Sequence, residues 1–232
     1  MRAIFDLGTL KRTYRDAVAW AILAVDLFPI VAVLTLGWGA AALVFLYWLE
    51  NLIVGAVALA KMIGSSIHNG PLAIAGMFFL GPFFIVHYGM FCFVHGIFVA
   101  AFAEVQVGNS PDFFGPFGLI NLALSSGVMM PMFISAIIGL QAFLYLRDFI
   151  GRGEYKKVPF DEHMIAPYGR VVVLHIGIFA GAFALAAIGE PLWGILALIG
   201  LRAMWGVFLT VRRRMRLDGT LPQQKVDDPS PI

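Results

Sequence analysis

The sequence predicts an all-α, polytopic transmembrane bundle of about six spans, with both termini on the cytoplasmic side. Of its 232 residues, 60% are hydrophobic and only 13% are charged, and the mean hydropathy is +0.88. A soluble domain carries roughly 25% charged residues, so the polar coat that water requires is missing. Runs of about 20 apolar residues, the length that crosses a bilayer as a helix, recur along the chain. Hydrocarbon is therefore the expected solvent for most of the fold.

Six apolar segments are long enough to be spans. The segment before them, 1–16, is interrupted by charges and lacks a signal-peptide cleavage pattern. Pro29, Pro82 and Pro131 should kink their helices, because proline removes a backbone donor; a short half-helix before the true span is the alternative at Pro82. The predicted spans are 17–37, 39–60, 72–103, 117–146, 170–188 and 191–211.

Outside the predicted transmembrane domain, 17–211, little of the chain is soluble. The loop 147–169 is the one sizeable soluble segment, and it is too short to be a domain. The tail 212–232 begins with RRRMR, a composition typical of a stop-transfer signal and an anionic-lipid anchor. Its polar, proline-containing remainder is expected to be disordered.

The basic residues predict the orientation. Every Lys and Arg except Arg202 falls on one face of the predicted bundle, whereas the opposite loops, around 37–39, 104–116 and 189–191, contain none. Positive residues stay cytoplasmic, so a multi-pass protein of the cell's inner membrane is expected, with the lipid bilayer as its main partner.

Gly- and Ala-rich faces such as 177–189 permit packing between chains, which leaves a homo-oligomer open. Nothing indicates nucleic-acid binding.

Ionisable side chains inside spans are rare and mark functional sites by default. Glu50 lies about halfway along the second span. His87 and His95, eight positions apart, would lie about 12 Å apart along a straight helix and roughly 80° around it. One metal ion could be reached by both only if the helix distorted. The simpler arrangement has two polar layers, one with His87 and His175 nearer the cytoplasm, the other with His95 and Glu50.

These residue types predict a metal site. Two imidazoles and a carboxylate are a common ligand set for zinc, iron or copper. Histidines satisfied by local hydrogen bonds are the alternative. The predicted ligands are Glu50, His87, His95 and His175, supported by Tyr47, Asn51 and Tyr88.

Asp26 and Arg202 are predicted to form an intramembrane ion pair. The alternatives are that Asp26 caps the helix break expected at Pro29 and that Arg202 extends to the inner surface. His68 and His163 fall in predicted cytoplasmic regions and should be solvated.

Other functional classes are compatible with the same polar residues. The polar groups could line a transport path or proton relay without metal, ligate one haem through axial imidazoles, or only fix helix register in a structural protein. No serine-hydrolase, HExxH or phosphate-loop pattern is present, so the sequence leaves open whether the protein is an enzyme. The lone Cys92 excludes an internal disulfide and a Cys-rich cluster.

Three stretches, YWLEN at 47–51, HYGMFCFVHG at 87–96 and LHIGIFAG at 174–181, resemble a family of small bacterial and archaeal multi-pass membrane proteins. This family is known only as domain of unknown function 6498. The resemblance spans roughly residues 20–210. It supports grouping Glu50 with the three histidines, and it implies no activity. It is also carried by Pro29, Gly37-Trp38 and Arg170, whereas asparagine is expected where Asp26 stands.

Overall fold

The computed structural model describes residues 7–102, 115–158, 160–172, 175–176 and 191–217. Within those ranges the regular structure is helical, without a strand. The helices are α1 (Leu7–Thr13), α2 (Ala17–Thr35), α3 (Ala40–Asn69), α4 (Pro71–Phe102), α5 (Pro116–Ser125), α6 (Met130–Leu144, extended by a π-helical turn, Tyr145–Gly151), α7 (Glu154–Lys157), α8 (Phe160–Ile165) and α9 (Pro191–Leu217).

The predicted all-helical fold is confirmed for the described residues, and its long apolar helices are compatible with a membrane protein. In the described part of the chain, four helices are long and apolar enough to cross a membrane: α2, α3, α4 and α6 with its π-helical turn. Large apolar side chains on them face outward, such as Leu72 at 88% and Phe78 at 81% exposure, as expected for contact with lipid. The total of six spans and the side of the termini stay predictions, since 104–114, most of 170–188 and the tail after 217 lie outside the described residues.

The predicted fourth span, 117–146, is broken rather than kinked. The chain leaves the helix between α5 and α6, where Met129 adopts a left-handed conformation with φ 61°. Pro131 lies in the first turn of α6, where its missing N–H is not needed. The Nε1–H group of Trp38 donates to the Val128 carbonyl at 3.0 Å, which satisfies a backbone acceptor exposed by the break.

The other two prolines do not interrupt their helices. Helix α2 continues through Pro29 and α4 continues through Pro82, so the alternative of a separate half-helix before Pro82 is wrong. Each proline removes one backbone donor and leaves its helix continuous.

The predicted second span and the loop 147–169 both differ from expectation. Helix α3 continues to Asn69, beyond the predicted end at residue 60, because the loop folds into the π-helical turn, α7 and α8, and α8 packs against α3. Lys61 and Glu154 pair there at 3.1 Å. His163 is buried at 4% exposure, with its ring 5.7 Å from that of Phe149, so the prediction that it is solvated is wrong.

Helix α3 is the centre of the bundle and packs most extensively against α4. Trp48 of α3 donates its Nε1–H to the Cys92 carbonyl of α4 at 2.7 Å. Gly96 lies directly under this indole: a Cβ there would be 2.8 Å from Trp48 Cζ2 and 3.1 Å from Leu119 Cδ1. Glycine at 96 therefore sets the distance at which α3, α4 and α5 pack.

We expect Gly96→Ala to lower the melting temperature, because strain from an added core methyl is about 1–3 kcal/mol and exceeds the gain in helix propensity of about 1 kcal/mol. Gly89→Ala is the matched control, since no atom lies within 4 Å of a Cβ at that position on the same helix; it should leave the melting temperature unchanged or raise it. Fluorescence-detected size-exclusion after heating in detergent measures both. Equal losses in the two variants would contradict this packing.

Candidate functional site

A cavity of about 570 Å³ penetrates the bundle. At one end, named here the basic end, its walls include Lys61, Glu154 and Arg213; at the other they include Glu50 and Arg170. Glu50 and Lys61 are eleven positions apart on α3, which corresponds to roughly 16 Å at 1.5 Å per residue. The volume falls within the range of about 300–1,000 Å³ that small-molecule sites occupy.

Four charged side chains meet at the inner end of this cavity, and they are named here the charge cluster: Asp26, Arg202, Glu50 and Arg170. Glu50 Oε1 accepts hydrogen bonds from both Arg170 and Arg202. Arg202 Nη2 also lies 3.5 Å from Asp26 Oδ1. In the order Asp26, Arg202, Glu50, Arg170 the charges alternate in sign, and their sum is zero when all four groups are ionised. A balanced, hydrogen-bonded set is what allows ionised groups to remain inside a membrane bundle.

Each member of the charge cluster comes from a different part of the chain. Asp26 is on α2, Glu50 on α3 and Arg202 on α9, while Arg170 lies in the helical residues 168–172 after α8. Ionic contacts therefore hold four segments together. Asp26 can approach α9 because residue 206 is glycine, and a Cβ there would overlap the carboxylate.

Arg202 lies between the charge cluster and an aromatic ring. Its guanidinium carbon is 5.7 Å from the ring centroid of Tyr47, a cation–π arrangement. Arg202 Nη1 and the Tyr47 hydroxyl are both buried and have no hydrogen-bond partner among the described residues. Two polar groups beside the charge cluster are thus available to a further ligand or to water.

A second polar contact joins His95 and His175. Their Nε2 atoms are 2.5 Å apart, and the rings are nearly perpendicular at 86°. His95 Nδ1 lies 2.6 Å from the Phe91 carbonyl and His175 Nδ1 lies 2.9 Å from the Val171 carbonyl. A carbonyl only accepts, so each Nδ1 donates to its carbonyl and the two Nε2 atoms face each other.

The structure groups the predicted ligands differently from the sequence. His175 contacts His95, not His87, so the predicted layer of His87 with His175 is wrong. His87 is half-buried among aromatic rings, 5.1 Å from Phe83 and 6.0 Å from Tyr168 between centroids. Glu50 pairs with arginine, a stronger partner than imidazole. Among the described residues, no three His, Cys, Asp or Glu side chains converge on a metal position.

The predicted supporting residues join helices. The Tyr88 hydroxyl donates to the Asn51 backbone carbonyl at 2.9 Å and so joins α4 to α3. Gly55 lies against the Tyr88 ring, where any Cβ would overlap it. Tyr88 and Asn51 therefore fix the position of the α3 segment that carries Glu50.

Sequence reasoning missed Arg170 as a partner of Glu50. A charge balance could have found it: Asp26 and Glu50 lie inside predicted spans, but only one cation, Arg202, does. Arg170 stands at the start of the predicted fifth span and is the nearest remaining candidate. The predicted partners Asp26 and Arg202 do lie together, as two members of the larger charge cluster.

A family model matches residues 9–223, that of the family of unknown function DUF6498. The chain belongs to this family. The matched range includes the charge cluster and both paired histidines. The chain matches no curated protein and no solved structure. DUF6498 has no assigned activity, so the chemistry of the cavity has to indicate what this member does.

Glu50→Gln should destabilise the protein by about 3–5 kcal/mol, because it leaves two buried guanidinium groups without a shared carboxylate. Tyr47→Phe is the matched control on the same helix; it removes a hydroxyl that has no hydrogen-bond partner among the described residues and keeps the ring under Arg202. Thermal unfolding in detergent should show a large loss for the first variant and almost none for the second. A Glu50→Gln protein as stable as Tyr47→Phe would exclude the charge cluster.

Proposed function

We propose that this protein is a membrane carrier that binds a small anion together with a proton at the inner end of the cavity. The observation that carries the proposal is that the cavity of about 570 Å³ ends on the Glu50–Arg170 pair. A ligand arriving through the cavity therefore meets an arginine whose present partner is a carboxylate. Arg202 holds Glu50 from the other side and does not line the cavity.

The proposed step is an exchange of carboxylates on Arg170. When Glu50 takes up a proton it loses its charge, and its attraction for the guanidinium falls. Arg170 can then bind an anionic group from the cavity in the place that Glu50 occupied, through the paired N–H donors that suit carboxylate and phosphate oxygens. One proton and one negative charge enter together, so the charge of the buried site does not change.

This neutrality is what makes the exchange feasible inside a membrane. Leaving an arginine unpaired in a low-dielectric interior costs several kcal/mol, so neither the proton nor the anion should bind well alone. The two binding events are therefore thermodynamically linked, and each must raise the affinity for the other. Such linkage is the minimal property of a proton-coupled carrier.

Thermal stabilisation by probe anions tests the linkage. Lactate and nitrate each keep a single negative charge between pH about 5.5 and about 8, so any pH effect reports on the protein. Wild-type protein should be stabilised by them more at the lower pH, where Glu50 is more readily protonated. Glu50→Gln mimics protonated Glu50 permanently, so anions should restore part of its lost stability equally at both pH values.

Arg170→Gln should abolish the anion effect, whereas Lys11→Gln, a change of an exposed lysine on α1, should preserve it. Proteoliposomes containing a pH-sensitive dye should then acidify when nitrate is added outside, and the acidification should be absent with Arg170→Gln. The carrier proposal fails if the probes stabilise Glu50→Gln no more than Arg170→Gln.

A metal ion at His95 and His175 is the second candidate function. The specific observation is that both Nδ1–H groups are donated to backbone carbonyls, the orientation that metal-ligating histidines usually have. If the two Nε2 atoms moved apart to about 4 Å, an ion could bind between them at the usual distance of about 2.0 Å from each. This reduces the predicted ligand set from four residues to two, with zinc, iron or copper as the candidates.

Elemental analysis of protein purified in mild detergent tests this second function. His95→Ala and His175→Ala should each remove the metal, whereas His68→Ala, which changes an exposed histidine, should retain it. A Soret absorption band would instead indicate haem. Metal content that is the same in all three variants would exclude an ion at this pair.

A further inference from the structure

Four arginines surround two aspartates at the basic end, at the side of the bundle where α1, α2 and α9 meet the π-helical turn. Arg213 also lines the large cavity, and the other three arginines do not. The group, named here the arginine cluster, consists of Arg147, Arg152, Arg213 and Arg214 with Asp16 and Asp148.

The two aspartates hold the arginines in place. Arg147 Nη2 lies 2.8 Å from Asp16 Oδ2, while Arg152 and Arg214 each approach the same oxygen to 3.7 Å. Asp148 pairs with Arg213 and, at 3.3 Å, with Arg152. Two carboxylates thus collect four guanidinium groups within one region.

Asp16 is ionised in this setting. Burial raises the pKa of its carboxyl, but the hydrogen bonds from Arg147 and from the Val18 N–H outweigh that effect, so the pKa lies below its ordinary value. With both aspartates charged, the six side chains of the arginine cluster carry a net charge of +2, four positive and two negative. The side chains of Arg147 and Arg152 remain 25% and 35% exposed, so they can contact a ligand from outside.

A small cavity of about 30 Å³ lies between these side chains, with Thr13 and Thr210 also in its wall. The volume exceeds the 10–15 Å³ or so that one water oxygen needs, so it accommodates one or two oxygen atoms of an anion. The remaining oxygens of a tetrahedral group would lie on the exposed side. Guanidinium groups bind phosphate through paired N–H···O contacts.

The neighbouring aromatic residues indicate the depth of this cavity. Trp20, at 57% exposure, packs edge-on against Tyr14 and donates its Nε1–H to the Tyr14 carbonyl at 2.8 Å. Tryptophan and tyrosine with one polar end are enriched at the membrane–water interface. Asp16 lies between them in the sequence, at the N-cap of the spanning helix α2. The arginine cluster is therefore at the level of lipid headgroups.

We propose that the arginine cluster is a binding site for a phosphate group with net negative charge, as found in an anionic phospholipid headgroup or in free phosphate. Basic pockets between helices on the cytoplasmic side bind such headgroups in other membrane proteins. The site is independent of the charge cluster. Its occupant would join α2, the π-helical turn and α9 at the rim of the large cavity.

The test uses full-length protein in detergent and three probes: phosphatidylglycerol, phosphatidylcholine of the same chain length, and inorganic phosphate. Phosphatidylglycerol should remain bound in native mass spectra and raise the melting temperature, and phosphatidylcholine should do neither. Arg147→Gln and Arg152→Gln should each weaken the binding of phosphatidylglycerol about fivefold. Arg152→Gln is the milder change, because Asp16 keeps Arg147 and Asp148 keeps Arg213.

Arg12→Gln is the matched control, since it removes one exposed positive charge from α1 without lining the small cavity. Stabilisation by inorganic phosphate but not by lipid would also support the site and would identify free phosphate as the ligand. The proposal is overturned if no probe binds, if phosphatidylcholine binds as well as phosphatidylglycerol, or if Arg12→Gln weakens binding as much as Arg152→Gln.

Discussion

Glu50 is held between two arginines inside a bundle whose outer surface is suited to lipid, and the rest of the structure depends on that contact. A single buried carboxylate or guanidinium in this environment would be costly. Because Arg170 and Arg202 share Glu50 and Arg202 also faces Asp26, the charges balance only when four separate chain segments are in place. The charge cluster therefore acts as a folding constraint as well as a candidate site.

The central position of α3 follows from the same constraint. This helix presents Glu50 to the arginines on one side and packs Trp48 against Gly96 of α4 on another. After residue 60, where the predicted span ends, the last turns of α3 pack against α8, and Lys61 pairs with Glu154. The cavity extends along α3 between Glu50 and Lys61, and its inner end is lined by Asp26, Glu50 and Arg170.

The class of fold could be predicted from the sequence because composition and hydropathy alone distinguish a membrane bundle from a soluble domain. The pairing of Asp26 with Arg202 was also predictable, since intramembrane charges of opposite sign need each other. The partners of the histidines were not, because the spacing of His87 and His95 states only how far apart they are on one helix. Which of them meets His175 depends on tertiary packing. The break before Met130 was missed because the hydrogen bond that satisfies an exposed carbonyl there comes from Trp38, in a distant part of the chain.

A double-mutant cycle between Glu50 and Arg170 tests the charge cluster most directly. The double variant Glu50→Gln, Arg170→Gln should be more stable than the sum of the single losses allows, by about 1–3 kcal/mol, because removing both partners leaves Asp26 and Arg202 as a balanced pair. Free energies of unfolding of the four proteins in one detergent give the coupling. Additive losses would show that the two side chains do not interact, and Arg170 would then not belong to the charge cluster.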